Sequence, residues 1–215
     1  MKSFTIRFDR TGGFTYIELL LSLTIIAAIG TIAAPRLTHR ASQASMQITL
    51  ASLQHVRDAI IKHYRNDMFE SLPFPEDPAR TQHPQLKYLF DNPIAFTAPA
   101  SHTNQANLAW SYDPVTMRGW SGPYIDQSIV YRFDFTRGYD VRYGLTGDPA
   151  PSDGWGNPIV LQQPVFQGGL PSRTSLTFAR LVSPGPDGIL QTPPDVPEPT
   201  LSQMGDDVVL YLRSR

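Results

Sequence analysis

Between Leu19 and Ala34 the chain carries no charged residue, and Pro35-Arg36 closes the run. With Phe14 to Ile17 in front, the stretch reaches the roughly 20 residues an α-helix needs to cross a bilayer core. Glu18 is the exception, because a carboxylate in so apolar a segment is costly and is usually kept for a purpose. Gly12-Gly13, just ahead, is a second anomaly, since glycine weakens any helix it enters. Lys2, Arg7 and Arg10 precede the run, and that excess of positive charge places Met1 to Gly13 in the cytoplasm. The remainder is then expected outside the inner membrane, as a single-pass protein with its C-terminal head in the periplasm.

A cleavable secretory signal has a shorter apolar core and a small-x-small cleavage site. Here "IGTIAAPRL" supplies one only loosely, with proline after the cut. A plain membrane anchor explains the length of the run but neither Glu18 nor the glycines. The stretch "GGFTYIELL" resembles the signal of type IV prepilins, with its glycine, aromatic, threonine and glutamate behind a short basic leader. The resemblance implies cleavage after Gly13 by a prepilin peptidase and N-methylation of Phe14, which makes Glu18 the fifth residue of the mature chain. It also implies assembly, with Glu18 neutralised by the Phe14 amine of an adjacent subunit. Pro35 falls where many family members kink the helix.

Beyond Pro35, Met46, Leu50, Leu53, Ile60 and Tyr64 recur at helical steps and predict one apolar stripe. Asp58 and Lys62 form an i,i+4 pair in the favourable orientation. The expectation is one helix from about Phe14 to about Asn66, bent near Pro35 and roughly 80 Å long at 1.5 Å per residue. Its second half would pack on a small sheet; a coiled coil is the weaker alternative, for want of heptads. His39, His55 and His63 lie on this helix without an HExxH pattern and read as surface residues.

The rest of the chain reads differently. Nearly all of its 20 prolines lie after residue 70, so this half is rich in loops. Residues 67–113 are irregular, with one short helix expected around Pro84 to Phe90. Strands are expected in "SIVYRFDFTRGYDVRYG", "NPIVLQQPVF", "SLTFARLVSP" and "DDVVLYLRS". There is no cysteine, so neither a disulfide nor a thiolate nucleophile is available. A net charge of -1 favours no nucleic-acid partner. The chain has no G-x-S-x-G elbow, no phosphate-cradling glycine loop and no zinc-binding histidine pair, which argues against an enzyme.

Three further segments are similar to the major pseudopilin of the type II secretion system: "GWSGPYI", "DGWGNPIVL", and "LVSPGPDG" followed by "GDDVVLYL". In that family the last pair of segments wraps one calcium ion. By motif position Asp187, Asp206 and Asp207 inherit the ligand role, with the Pro184 carbonyl as a further candidate. Carboxylates and loop carbonyls are the hard oxygen donors calcium takes. The bland reading is also open: Asp187-Gly188 is an ordinary turn dipeptide, and Asp206-Asp207 reads equally as the end of a loop before a strand. The sequence departs from the family in the eighteen residues between Asp187 and Asp206, among them Asp195 and Glu198, and in the 67–113 insertion.

The expected architecture is an α+β, type IV pilin-like fold: a long N-terminal helix with a membrane-spanning first half, packed on a small antiparallel sheet with a long C-terminal loop. The segments are a leader over 1–13, a transmembrane or filament-core helix over 14–37, its amphipathic continuation over 38–66, and a periplasmic globular head over 67–215. The resemblance implies a structural subunit of a periplasmic pseudopilus that drives protein export across the outer membrane. Its partners would be the peptidase and methylase, copies of itself, other pseudopilins and an inner-membrane assembly platform. A type IV pilus or competence pilin is the alternative, and a membrane-tethered calcium-binding module that never polymerises is another.

Overall fold

The computed structural model describes residues 15–74, 83–91, 112–126, 130–134, 139–164 and 174–213, with the backbone alone for 30–39 and Val130. Its first helix, α1, runs over Tyr16–Asp58. The chain divides into two compact units, Met1–Gln43 and Ala44–Arg215, and α1 contributes to both.

In the first unit the described structure is α1 itself. Tyr16, Ile17, Leu19, Leu20, Leu21, Leu23, Ile25, Ile26 and Ile29 are all exposed. Among the described residues, no helix is long and apolar enough to cross a membrane. This overturns the membrane-spanning half expected over 14–37, and with it the fold class and the single-pass inner-membrane placement built on that span. The physical reason is polarity: Glu18, Ser22 and Thr24 interrupt the apolar run between Tyr16 and Ile29, and a carboxylate is costly in a hydrocarbon core.

The second unit holds the core. The buried face of α1 follows Thr49, Leu53 and Val56, then continues through Ala59, Ile60 and Tyr64. Met46 and Leu50, expected in this stripe, are exposed instead. They lie about 100° around the helix from Ser45 and Thr49, and the Ser45–Thr49 face is the one that meets the rest of the unit. After Asp58 the helix widens into a π-helical stretch, Ala59–Tyr64, before a last α-helical turn, α2, at Arg65–Asp67. Four-residue steps drift about 40° each in an α-helix. The wider turn reverses that drift, so Val56, Ile60, Tyr64 and Met68 all reach the interior.

The sheet structure differs from the single small sheet expected. Strands β1 (Val130–Arg132) and β2 (Pro149–Pro151) pair antiparallel as a separate two-stranded sheet. Strands β3 (Val160–Gln162), β4 (Arg180–Ser183) and β5 (Val208–Tyr211) form a second, antiparallel sheet in the order β3-β4-β5. Its register places Leu161, Leu181 and Leu210 in one row and Val160, Val182 and Val209 in the next. Alternation sends the leucine row into the core shared with α1 and the valine row against Phe133, Tyr139 and Tyr143. The sheet is therefore a middle layer with apolar material on both faces. Within 67–113, Leu72, Phe74, Leu86, Tyr88, Leu89 and Phe90 are buried in the α1-side core, so the described part of that insertion is core rather than decoration. A 3₁₀ turn at Leu86–Leu89 carries three of them.

The joint between α1 and the sheet layer is made by the turn at 153–157. Asp153 Oδ1 accepts from the backbone N–H groups of Trp155 and Asn157 at 2.9 and 2.8 Å, which curls "DGWGN" into a tight turn. Ser183 donates to Asp153 Oδ2 at 2.6 Å and ties that turn to β4. Gly154 N donates to Thr49 Oγ1 at 2.9 Å, and Thr49 in turn donates to Ser45 O at 2.9 Å. A Cβ on Gly154 would sit 2.1 Å from Ser45 O, so only glycine lets the turn lie against the helix.

Candidate functional site

Two places carry the sequence-predicted residues. The first is the start of α1. Thr15 N and Oγ1 both donate to Glu18 Oε2, at 3.1 and 2.9 Å, and Glu18 N donates back to Thr15 Oγ1 at 3.4 Å. This is a capping box: threonine before the helix and glutamate three residues on satisfy each other's otherwise orphaned backbone donors. The backbone N–H of Thr15, and next its hydroxyl, hold the Glu18 carboxyl below the usual carboxylate range. The signal T-x-x-E is present in "TYIE" and gives Glu18 a local role, where the resemblance led to the expectation of an intersubunit one. Farther along, Ser22 Oγ donates to Glu18 O and Thr24 Oγ1 to Leu21 O, so both hydroxyls are absorbed by the helix's own carbonyls. Gly13 and Phe14, the expected cleavage and methylation residues, lie outside the described residues.

The second place is the loop between β4 and β5. Pro184 and Gly185 follow β4 and are buried. Gly185 has φ 66°, and a Cβ there would stand 2.5 Å from Asp206 O, so the two ends of the loop meet at a position reserved for glycine. Asn157 Nδ2 donates to Gly185 O at 2.8 Å and braces this meeting point from the 153–157 turn. Asp187 is exposed: its Oδ1 accepts from Ile189 N at 2.8 Å and its Oδ2 from Gln191 Nε2 at 2.7 Å. Asp206 is exposed as well and lies over Gly185.

Asp207 is half-buried. Its Oδ2 accepts from the backbone N–H groups of Gln191 and Thr192 at 3.0 and 2.6 Å, while its Oδ1 is buried with no hydrogen-bond partner. Burial pushes the Asp207 carboxyl up, against the opposing pull of hydrogen bonds from Thr192 and Gln191. Gln191 Oε1 is also buried and unpartnered. Thr192 Oγ1 is a third buried oxygen of this loop without a partner, and such groups mark a place for an ordered water or an ion. Among the described residues, no group of three His, Cys, Asp or Glu side chains is placed to hold a metal. A cation here would therefore be bound by Asp207 together with amide and carbonyl oxygens, the donor mix that suits calcium. Asp187 and Asp207 thus both contact Gln191, the first at its side-chain amide and the second at its backbone N–H; sequence reasoning passed over this residue because a lone glutamine carries no motif.

The eighteen-residue extension is anchored separately. Arg180, on β4, is fully buried. Its guanidinium donates to Pro193 O at 2.7 Å, Val196 O at 2.9 Å and Pro197 O at 3.2 Å, and to Gln162 Oε1 at 2.9 Å. Gln162 Nε2 donates onward to Tyr143 Oη and Thr192 O. Asp195, inside the extension, pairs with Arg142 at 3.2 Å, leaving it engaged away from the Asp207 site. No protein-family model matches the chain, and neither a curated protein nor a solved structure matches it, so its functional reading rests on its own residues.

Proposed function

We propose that the chain is a pilin-like filament subunit, a pseudopilin of the type II secretion kind, processed after Gly13 and assembled through α1 to help move folded proteins across the outer membrane. The observation that carries this reading is the all-round exposure of apolar side chains at the start of α1. At 100° per residue, Tyr16, Ile17, Leu19, Leu20, Leu21, Leu23, Ile25, Ile26 and Ile29 point in every direction around the helix, and each is 44 to 79 % exposed. A helix apolar on all sides belongs in an interior. One partner helix would cover a single stripe; several neighbours are needed to cover the circumference, as in the core of a helical filament. Burying nine half-exposed side chains contributes on the order of 10 kcal/mol per subunit at about 25 cal/mol per Å². That is comparable to the ~4–15 kcal/mol cost of association, so assembly requires the full set of neighbours.

The capping box supports the same reading. It gives α1 a defined start two residues past the expected cleavage point and keeps Glu18 charged until a neighbour's amine can meet it. The 184–207 loop, in this reading, holds a calcium ion through oxygens around Asp207, closing the two ends of the extension on the sheet.

The test is co-expression with a prepilin peptidase, followed by intact-mass measurement and electron microscopy. Cleavage at Gly13 with methylated Phe14, and filaments that disappear in Glu18→Ala while the head stays folded, are the expected results. An unprocessed chain, or a processed chain that stays monomeric under assembly conditions, would overturn the proposal.

A further inference from the structure

We infer that one copy of this chain docks its 113–118 loop into a groove beside α1 of a second copy, a contact between heads that goes beyond the helix-mediated assembly proposed above. Both surfaces belong to the second compact unit. The groove measures about 430 Å³, and its walls are largely apolar: Ile48, Ala51 and Val56 of α1 on one side, Ile125 and Pro151 on the other. Asp126 also lines it. Ile48 is 54 % exposed, so the groove is open to an incoming side chain. Its size suits two aliphatic side chains carried on a protruding loop.

Such a loop is present. Asp113 and Arg118 pair as an antiparallel bridge, with Asp113 N donating to Arg118 O at 2.7 Å. Asp113 Oδ1 accepts from Val115 N at 2.9 Å and its Oδ2 from Thr116 Oγ1 at 3.0 Å, which holds the loop in one shape. At the tip Val115 is 89 % and Met117 72 % exposed. Met117 has φ 54°, in the left-handed region that such a residue rarely adopts, and Phe69 and Glu70 share that region at 54° and 61°. Strain of this kind persists only where the surroundings impose it, and it clusters at functional sites. The Arg118 guanidinium lies 5.3 Å from the centre of the Phe69 ring, and Gly119 N donates to Asp67 O at 2.8 Å, so the loop is tied to the end of α2. A preformed loop that holds two apolar side chains in water loses little entropy on docking and gains by burying them. Charge agrees, since Arg118 flanks the loop and Asp126 lines the groove. Asp67 lies fifteen residues beyond Ser52, roughly 20 Å along the helix, so loop and groove are separate patches. A contact between two different patches is heterologous and repeats from copy to copy.

Disulfide trapping tests the contact without background, because the chain has no cysteine. The full-length chain carrying Met117→Cys with Ala51→Cys, and another carrying Val115→Cys with Ser52→Cys, are oxidised mildly in detergent and resolved on non-reducing gels. A ladder of dimers, trimers and higher species from at least one pair is expected, since two cysteines link only when their Cα atoms come within about 7 Å. Met117→Cys alone should stay monomeric, and so should Met117→Cys combined with Ser202→Cys, an exposed position outside the groove. Adding Val115→Asp to the first pair should slow linking roughly tenfold or more, because it carries an unpaired charge into an apolar groove. Thermal unfolding of that variant should be unmoved, Val115 being almost fully exposed. No ladder from either pair, equal linking through Ser202→Cys, dimers from Met117→Cys alone, or a product that stops at the dimer would each overturn the inference. The readout does not depend on cleavage at Gly13. Filaments without the cross-link would sink the docking and leave the filament reading standing, whereas a ladder from a chain that is never processed would support the docking and sink that reading.

Discussion

The two ends of the long N-terminal helix both carry many apolar residues and meet opposite fates. Leu53, Val56, Ile60 and Tyr64 are almost completely buried, whereas Leu19, Leu21, Leu23 and Ile26 are open on the described surface. The difference is periodicity. Around Leu53 the apolar residues fall on one face, with Arg57, Asp58 and Lys62 elsewhere, and a single sheet layer suffices to cover them. Between Tyr16 and Ile29 they fall on every face, and no single surface can. One part of the helix is thus completed by its own chain and the other is left uncovered among the described residues.

The sharpest way to break this comparison is to make the same truncation at both ends. Leu53→Ala should lower unfolding stability by about 3 kcal/mol, from lost burial and the cavity left behind. Leu21→Ala should change the stability of the unassembled chain by less than about 0.5 kcal/mol, as exposed substitutions do. Denaturant titration of both variants reads the contrast. Equal losses would mean that the exposed half is packed against its own chain.

Next in size is the joint at Gly154. Adding a methyl there forces the 153–157 turn off Ser45 O, and Gly154→Ala should cost about 2 kcal/mol by overpacking. The same substitution at Gly156 meets no atom within 4 Å, but its φ of 82° imposes strain of its own. It should cost less, on the order of 1 kcal/mol. Thermal unfolding of the pair separates crowding from backbone strain.

At the other end, Thr15→Ala removes half of the capping box and should weaken the first turn of α1 by about 1 kcal/mol. Because this turn is remote in sequence from the core residues, the expected readout is faster amide exchange near Leu19, with the global unfolding midpoint unmoved.

The smallest expected effect concerns His83. Burial, and then the Arg142 charge, lower its pKa below the ordinary histidine value. The neutral form is favoured on folding, so its contribution is present above the unfolded pKa near 6.5 and is lost as pH falls through the lower folded value. Half-exposed as the ring is, the loss should not exceed a few tenths of a kcal/mol after screening. Comparing unfolding midpoints at pH 7.5 and 5.0 for the unchanged chain and His83→Gln isolates it; a larger acid sensitivity in the variant would reverse the assigned sign.

Local pattern carried part of this structure into view. The consecutive apolar residues of "NPIVL", "FARLVS" and "DDVVLYL" mark β3, β4 and β5, because a strand buried on both faces must be apolar at successive positions. The stripe through Leu53, Ile60 and Tyr64 was equally visible. What the pattern misplaced was its upper end, since the face that meets the 153–157 turn is fixed by Thr49 and a glycine, neither of which reads as core. The division into two sheets was hidden for a similar reason: β1 and β2 pair over only three residues each, two of them prolines in β2. At the loop, the aspartates were legible from the motif, but Gln191 and Arg180 act through contacts 16 residues away or more, on Asp207, Val196 and Pro197, and no spacing rule anticipates those.

Arg180 also decides what the proline-rich extension is free to become. Its three contacts there are all to main-chain carbonyls, so the anchor recognises a path of the backbone and is blind to what each residue displays. Any sequence that can trace the same curve past Pro193, Val196 and Pro197 would be held equally well. The outward side chains of this segment can therefore be rewritten, to suit whatever surface they face, without disturbing the sheet beneath.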